Sequence, residues 1–367
     1  MNYLFVVGTR PEVIKVAPVY KKFKETFKNV FLLATAQHRE MMDMMLELFE
    51  IKPDVDMNLM EKDQTLNSFS SKVLSKIDQV LDAMKPDIVF VQGDTTTALM
   101  VALASFHRGI SVAHIEAGLR SHDLRDPFPE EMNRKLIDDI SEHLFAPTEN
   151  SRKNLLKEGI DERRIHLVGN TVVDSLEMIK NRYDLSRVRE NTLKGIDDYI
   201  LVTLHRRESW GEPMKRILRA IKRFMRSTNL KIVFPVHKNP KVRKVAHDIL
   251  NGTPAVLLEP VDYVTFLALL EGSRFVLTDS GGVQEEAPSF GKFVVVARDK
   301  TERPELIENG LGILVGKDEE SVYRGMMDAL NKRMDRCVNP FGDGKASKRI
   351  LDFFKEGSFE PFIITLR

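Results

Sequence analysis

The chain has 367 residues, 43% hydrophobic and 30% charged, a length for two domains and a balance that excludes a largely disordered protein. Lys and Arg total 55 against 54 Asp and Glu, so a net charge of +1 gives no global pull on nucleic acid or anionic lipid, and any anion site is local. The single cysteine, Cys337, excludes an intrachain disulfide and a Cys-based zinc site and fits a reducing, cytoplasmic compartment.

The opening apolar run, Tyr3 to Val7, is too short for a signal-peptide core and lacks a small-residue cleavage site. Later runs such as Phe293 to Ala297 are strand-sized, against the ~20 residues of a membrane helix. No membrane association is expected.

In chain order, the first half predicts strands at Leu4–Val7, Val30–Ala34, Ile88–Gln92, Val112–Ile115, Leu144–Pro147 and Ile165–Val168. From Leu66 the apolar positions Phe69, Val73, Ile77, Val80, Leu81 and Met84 recur at helical spacing, and Lys85-Pro86-Asp87 stops that helix. Another helix runs from Thr95 to about His107, ended by Gly109. The second half repeats the rhythm, with strands at Ile200–Leu204, Ile232–Val236, Ala255–Leu258, Phe275–Thr278, Phe293–Val296 and Gly312–Val315. Helices are expected near Met214–Arg226, Tyr263–Glu271 and Glu319–Lys332. Near-continuous apolar strands alternating with helices indicate parallel sheets covered on both faces. Two such blocks predict two doubly wound domains, 1–169 and 170–345, with a terminal helix from Ala346 crossing back to the first.

Open parallel sheets bind ligands outside the carboxyl ends of their strands, so the residues that follow each strand carry the functional reading. After the first strand, Arg10 and Lys15 flank the start of a helix whose free N–H groups favour an anion; a tight turn with solvated charges is the bland reading. Asp94 follows Ile88–Gln92 and, by itself, reads as a cap of the next helix. Glu116 ends the next strand before a Gly turn, where a salt bridge to Arg120 is equally open. Glu130 lies just after Pro127-Phe128-Pro129, good helix-start chemistry in its own right. Together, however, three carboxylates at one domain's functional edge can serve as acid and base. In the second half, His205 and His237 follow strands, and His237 alone reads as structural. Asp279-Ser280-Gly281-Gly282 joins a strand to a helix, where glycines admit a diphosphate to the helix N–H groups and Glu286 can accept from ribose hydroxyls. A Gly-x-Gly-x-x-Gly turn, a Walker-type phosphate loop and His-Glu-x-x-His are all missing, which disfavours a nicotinamide cofactor and a metal. Asp54-Val55-Asp56 looks like a metal-binding Asp-x-Asp but reads as a solvated loop.

The segments GTRPEVIKVAPV, TAQHREMMD, QGDTTT, HIEAGLRSHD, PFPEEMNR, HRRESWG, FPVHKNP, TDSGGVQEEAPSFGK and TERPE occur in that order. As a set they closely resemble the non-hydrolysing UDP-N-acetylglucosamine 2-epimerases, over residues 1 to about 355. The resemblance implies a GT-B fold, two Rossmann-like domains with an inter-domain cleft, and reversible conversion of UDP-N-acetylglucosamine to UDP-N-acetylmannosamine for cell-surface polysaccharide. It implies a catalytic set of Asp94, Glu116, Glu130 and His205, and substrate contacts from Arg10, Lys15, Phe266, Ser280, Gly281, Gly282, Glu286 and Arg303. It also implies no metal, no cofactor and a homodimer. Val261 stands where members usually have Gln near the base. The stretch Gln37-His38-Arg39-Glu40 resembles one through which several bacterial members bind a second UDP-N-acetylglucosamine.

The implied chemistry is elimination of UDP to 2-acetamidoglucal and re-addition, because the C-2 hydrogen is not next to a carbonyl and a nicotinamide site is missing. Two sugar faces call for more than one acid/base group, as a three-carboxylate set provides. The competing readings are a hydrolysing epimerase, a GT-B glycosyltransferase and a catalytically silent nucleotide-sugar binder.

Overall fold

The computed structural model describes all residues except 36–38, 62–63, 238, 333, 335–337 and 365–367. Cys337, Gln37 and His38 therefore lie outside the described residues. The chain forms two compact units, Met1–Ser175 with Phe341–Arg367, and Leu176–Pro340.

Among the described residues, the first unit builds a seven-stranded sheet from β1 (Asn2–Val7), β2 (Asn29–Ala34), β3 (Val55–Asp56), β4 (Ile88–Gln92), β5 (Ser111–Ile115), β6 (His143–Ala146) and β7 (Ile165–Leu167). Its order is β3-β2-β1-β4-β5-β6-β7, and every pairing is parallel. The order reverses direction between β1 and β4, the switch point where open sheets bind ligands. The Asp54–Asp56 stretch is not the expected solvated loop: Val55 and Asp56 pair with β2, Asp54 accepts the Leu32 N–H at 2.8 Å, and Asp56 pairs with Arg39 at 2.8 Å.

Local chemistry places the helices. Thr65 caps the helix Leu66–Met84 by accepting the Ser68 N–H, and Phe69, Val73, Ile77 and Leu81 form its buried face. It ends at Lys85 in the left-handed conformation. Thr95, rather than Asp94, caps the helix Thr96–His107 by accepting the Ala98 N–H at 3.0 Å. The terminal helix Ala346–Glu356 belongs to this first unit. Asp174 accepts the N–H groups of Ala346 and Ser347 at its start, at 3.2 and 2.8 Å. Phe354 packs edge-on against Tyr3, Phe23 and Phe90, next to the stacked Phe5–Phe90 pair.

The second unit builds a six-stranded parallel sheet among the described residues, from β8 (Tyr199–Thr203), β9 (Lys231–Pro235), β10 (Val256–Leu258), β11 (Phe275–Thr278), β12 (Phe293–Val296) and β13 (Gly312–Leu314). Its order, β10-β9-β8-β11-β12-β13, again switches, here between β8 and β11. The helix Glu212–Thr228 buries Met214, Ile217, Leu218, Ile221, Phe224 and Met225 against this sheet's core. The expected architecture, two doubly wound α/β domains, is what the chain forms. Among the described residues no helix is long and apolar enough to cross a membrane.

Candidate functional site

In the first unit the candidate residues gather at the carboxyl ends of β1, β4 and β5. Gly8 follows β1 at a close approach: a Cβ there would lie 2.5 Å from the Thr35 hydroxyl and 2.7 Å from that of Thr97. The helix Arg10–Thr26 then begins, with Arg10 exposed in its first turn and Lys15 buried. The Lys15 ammonium donates to Glu116 Oε1, and the Gln92 amide donates to Glu116 Oε2. The alternative Glu116–Arg120 bridge is not the arrangement found, because Arg120 binds Glu158 and Asp138 instead. Glu116 is 8% exposed and takes a φ of +72°, uncommon for a residue with a Cβ, at the turn that leaves β5.

Asp94 is half-buried and paired with Arg134. Its carbonyl accepts from Asn133 Nδ2 at 2.8 Å. Asn133 and Arg134 both lie on the helix Glu130–Ile140, whose first residue, Glu130, is also half-buried. Glu116 Oε2 lies 3.8 Å from the position a Cβ on Gly93 would take, so the Glu116 carboxylate borders the turn that carries Asp94. The structure thus brings together Asp94, Glu116, Lys15 and the helix that begins at Glu130. Arg10 lies at the rim of the same strand edge.

Glu12 closes this framework. It is 1% exposed and accepts from the Gly8 N–H at 3.0 Å, the Thr9 hydroxyl at 2.7 Å and the Thr95 hydroxyl at 2.7 Å. One carboxyl therefore ties the turn of Arg10 to the turn of Asp94. Burial pushes it up to about 7 despite the three donors.

In the second unit, His205 follows β8 and Asp279 follows the adjacent β11. Asp279 is fully buried and accepts the backbone N–H groups of His205 and Arg206, and its Oδ1 lies 3.2 Å from His205 Nδ1. Burial alone would raise the Asp279 carboxyl, but His205 and these donors outweigh it and hold it below the ordinary range. The half-exposed His205 ring thus donates from Nδ1 to Asp279 and keeps Nε2 for another partner.

Ser280, Gly281 and Gly282 form the junction from β11 into the helix Gly281–Glu286. A Cβ on Gly281 would lie 2.7 Å from the Arg303 guanidinium carbon, so Arg303 packs directly against the glycine turn. Arg303 is held there by Glu285 at 2.7 Å and Glu302 at 3.2 Å. Burial would raise Glu302, but Arg298 and Arg303 together hold it well below the usual carboxylate range. Glu286 accepts from the Tyr263 hydroxyl at 2.7 Å, and Phe266 lies half-buried on the same helix as Tyr263, Tyr263–Gly272.

Gln92, Arg134, Asp279 and Tyr263 orient candidate residues without being among the positions the sequence marks. The first three stand inside QGDTTT, PFPEEMNR and TDSGG, beside the chosen positions.

A family model described as UDP-N-acetylglucosamine 2-epimerase matches residues 21–355. The chain belongs to this family. It is 45% identical over 367 residues to the UDP-N-acetylglucosamine 2-epimerase of Salmonella borreze, covering 96% of this chain and 97% of that protein. The crystal structure of the UDP-GlcNAc 2-epimerase of Neisseria meningitidis, bound to UDP-GlcNAc, is similar with a TM-score of 0.91 at 41% identity, over 97% of this chain and 100% of that one. The Methanocaldococcus jannaschii enzyme in complex with UDP-GlcNAc and UDP is similar with a TM-score of 0.87 at 38% identity, over 97% and 99%.

Proposed function

We propose that the chain interconverts UDP-N-acetylglucosamine and UDP-N-acetylmannosamine without net hydrolysis and without a metal or nicotinamide. The observation that carries this reading is the paired set at the carboxyl ends of β4 and β5, where Glu116 faces a buried Lys15 and Asp94 faces Arg134. In the proposed reaction the C-1–oxygen bond breaks and its electrons leave with UDP. Developing positive charge at C-1 acidifies the C-2 hydrogen, and a carboxylate of the Asp94, Glu116 and Glu130 set takes that proton. The product is 2-acetamidoglucal. Protonation of C-2 on the opposite face and return of UDP to C-1 complete the inversion, so no water is consumed. Lys15 and Arg10 favour charge developing on the leaving group. In the second unit, Ser280–Gly282 present backbone N–H groups to the diphosphate, Glu286 accepts from the ribose and Phe266 faces the base. Arg303 supports the glycine turn through its contact with Gly281.

We assign the enzyme to the cytoplasm, with its product feeding cell-surface polysaccharide, and infer a homodimer. Met132 and Leu136, one turn apart on the helix Glu130–Ile140, are exposed apolar residues that support a self-association face.

Nuclear magnetic resonance of UDP-N-acetylglucosamine incubated with the protein in heavy water tests the reading. The expected product is UDP-linked N-acetylmannosamine with deuterium at C-2. Free N-acetylmannosamine would assign a hydrolysing enzyme, and unchanged substrate a transferase or a binding protein.

The Asp279–His205 pair yields a second expectation. Asp279→Asn should lower turnover at least tenfold, part of the roughly 10²–10⁴ that a positioned acid or base contributes. Steady-state rates beside the wild type check this, and wild-type turnover in Asp279→Asn would remove His205 from the mechanism.

A further inference from the structure

His114 lies on β5, two residues before Glu116, and is fully buried. Its Nε2 sits 2.7 Å from the carbonyl oxygen of Gly93, and its Nδ1 sits 2.6 Å from Asp138 Oδ1. A carbonyl oxygen has no hydrogen to give, so Nε2 must donate. The other Asp138 oxygen already accepts the Gly118 N–H at 3.1 Å and pairs with Arg120 at 2.8 Å. The Arg120 cation and this N–H donor favour the ionised form of Asp138, and an ionised carboxylate can only accept, so Nδ1 donates as well.

We propose that His114 is a buried imidazolium, with hydrogen on both ring nitrogens, and that it is the positioning residue that sets the three carboxylates of the site against one another. The positioning half of this inference rests on the function proposed above; the protonation half does not.

The connectivity explains the role. The Gly93 carbonyl that accepts from His114 immediately precedes Asp94. His114 shares its strand with the approach to Glu116. Asp138 lies two turns beyond Glu130 on the same helix, Glu130–Ile140. One His–Asp pair thus joins the turn after β4, the end of β5 and the helix that carries Glu130. A neutral ring could satisfy only one of these two acceptors and would release the other.

The surrounding charges suit a cation at this position. Asp138 faces both His114 and Arg120. Arg120 continues to Glu158 at 2.6 Å, and Glu158 to Lys135 at 2.9 Å. Charges alternate along this chain, so the imidazolium is compensated where water is excluded. Burial alone would raise the Asp138 carboxyl, but His114 and Arg120 outweigh that and keep it below the ordinary range.

Neutron diffraction from crystals of the perdeuterated full-length protein near neutral pH reads the hydrogens directly. Deuterons on both Nδ1 and Nε2 of His114, with none on Asp138, are expected. A single ring deuteron overturns the proposal, whether or not a second sits on the Asp138 carboxyl. This measurement needs neither activity nor a variant. His114→Gln and His114→Asn each keep one of the two donors. Each should lower kcat at least tenfold, leave KM within about threefold, and leave calorimetric UDP binding within twofold. A variant with a wild-type circular dichroism spectrum and wild-type kcat overturns the positioning role. If the wild type lacks epimerase activity altogether, the function above fails while the neutron result still decides the charge on His114.

Discussion

Glu116→Gln is expected to lower turnover by roughly 10²–10⁴-fold, the range for loss of one acid/base group. The substitution keeps the shape of the site. The carbonyl of the new amide can still accept from Lys15, and the Gln92 amide can turn its oxygen toward the new donor. What disappears is the charge. Glu116 and Lys15 are 8% and 7% exposed, so the pair sits largely out of water. Removing one partner of a buried pair costs about 3–5 kcal/mol, because the other charge loses its compensation. Glu116→Gln should therefore also lose stability, and lost turnover could be mistaken for a weakened fold. Adding Lys15→Met separates the two effects. The double variant should regain most of the stability, since an apolar group in such a place is tolerated, but none of the turnover. Thermal unfolding and rates on the same preparations decide it. Near wild-type rates in Glu116→Gln would reduce the carboxylate to a structural role.

The strands were legible because buried parallel strands read as unbroken apolar runs. Phe275–Thr278 and Phe293–Val296 fall at the positions the sequence predicts. β3 was not, since two edge residues, neither of them buried, carry no pattern. The helix Leu185–Leu193 buries only its first and last residues, too few to show a period. In the site, the titratable candidates were visible from their places at strand ends and helix starts, whereas the pairs they form were not. Lys15 and Glu116 are 101 residues apart, Asp94 and Arg134 are 40, and His205 and Asp279 are 74. Such pairs are set by the order of strands in the sheet, which no local spacing reveals. Arg120, four residues from Glu116, was the nearer candidate by sequence. It goes instead to the bidentate grip of Glu158, at 2.6 to 3.1 Å.

Glu12 makes stability depend on pH in a direction that can be worked out. Its ordinary value is 4.5, and burial pushes it up to about 7 in the folded protein. Between these values the folded state holds a proton that the unfolded state has released. Stability therefore falls as pH rises through this window. The contribution is fully present below the unfolded value and is lost once pH passes the folded one. At 1.36 kcal/mol per pKa unit the whole loss is about 3 kcal/mol, of which about 2.5 kcal/mol falls between pH 5 and pH 8. Glu12→Gln does not titrate. Its carbonyl can accept from Gly8 and Thr9, and its amide can donate to the Thr95 hydroxyl, which has a lone pair left beside the one taken by Ala98. The stability of the wild type relative to Glu12→Gln should accordingly drop by about 2.5 kcal/mol from pH 5 to pH 8. Urea unfolding followed by circular dichroism is the suitable measurement, because the single tryptophan, Trp210, lies in the second unit and fluorescence would report the wrong one. A difference that stays level across this range would mean that the three donors already hold Glu12 ionised throughout.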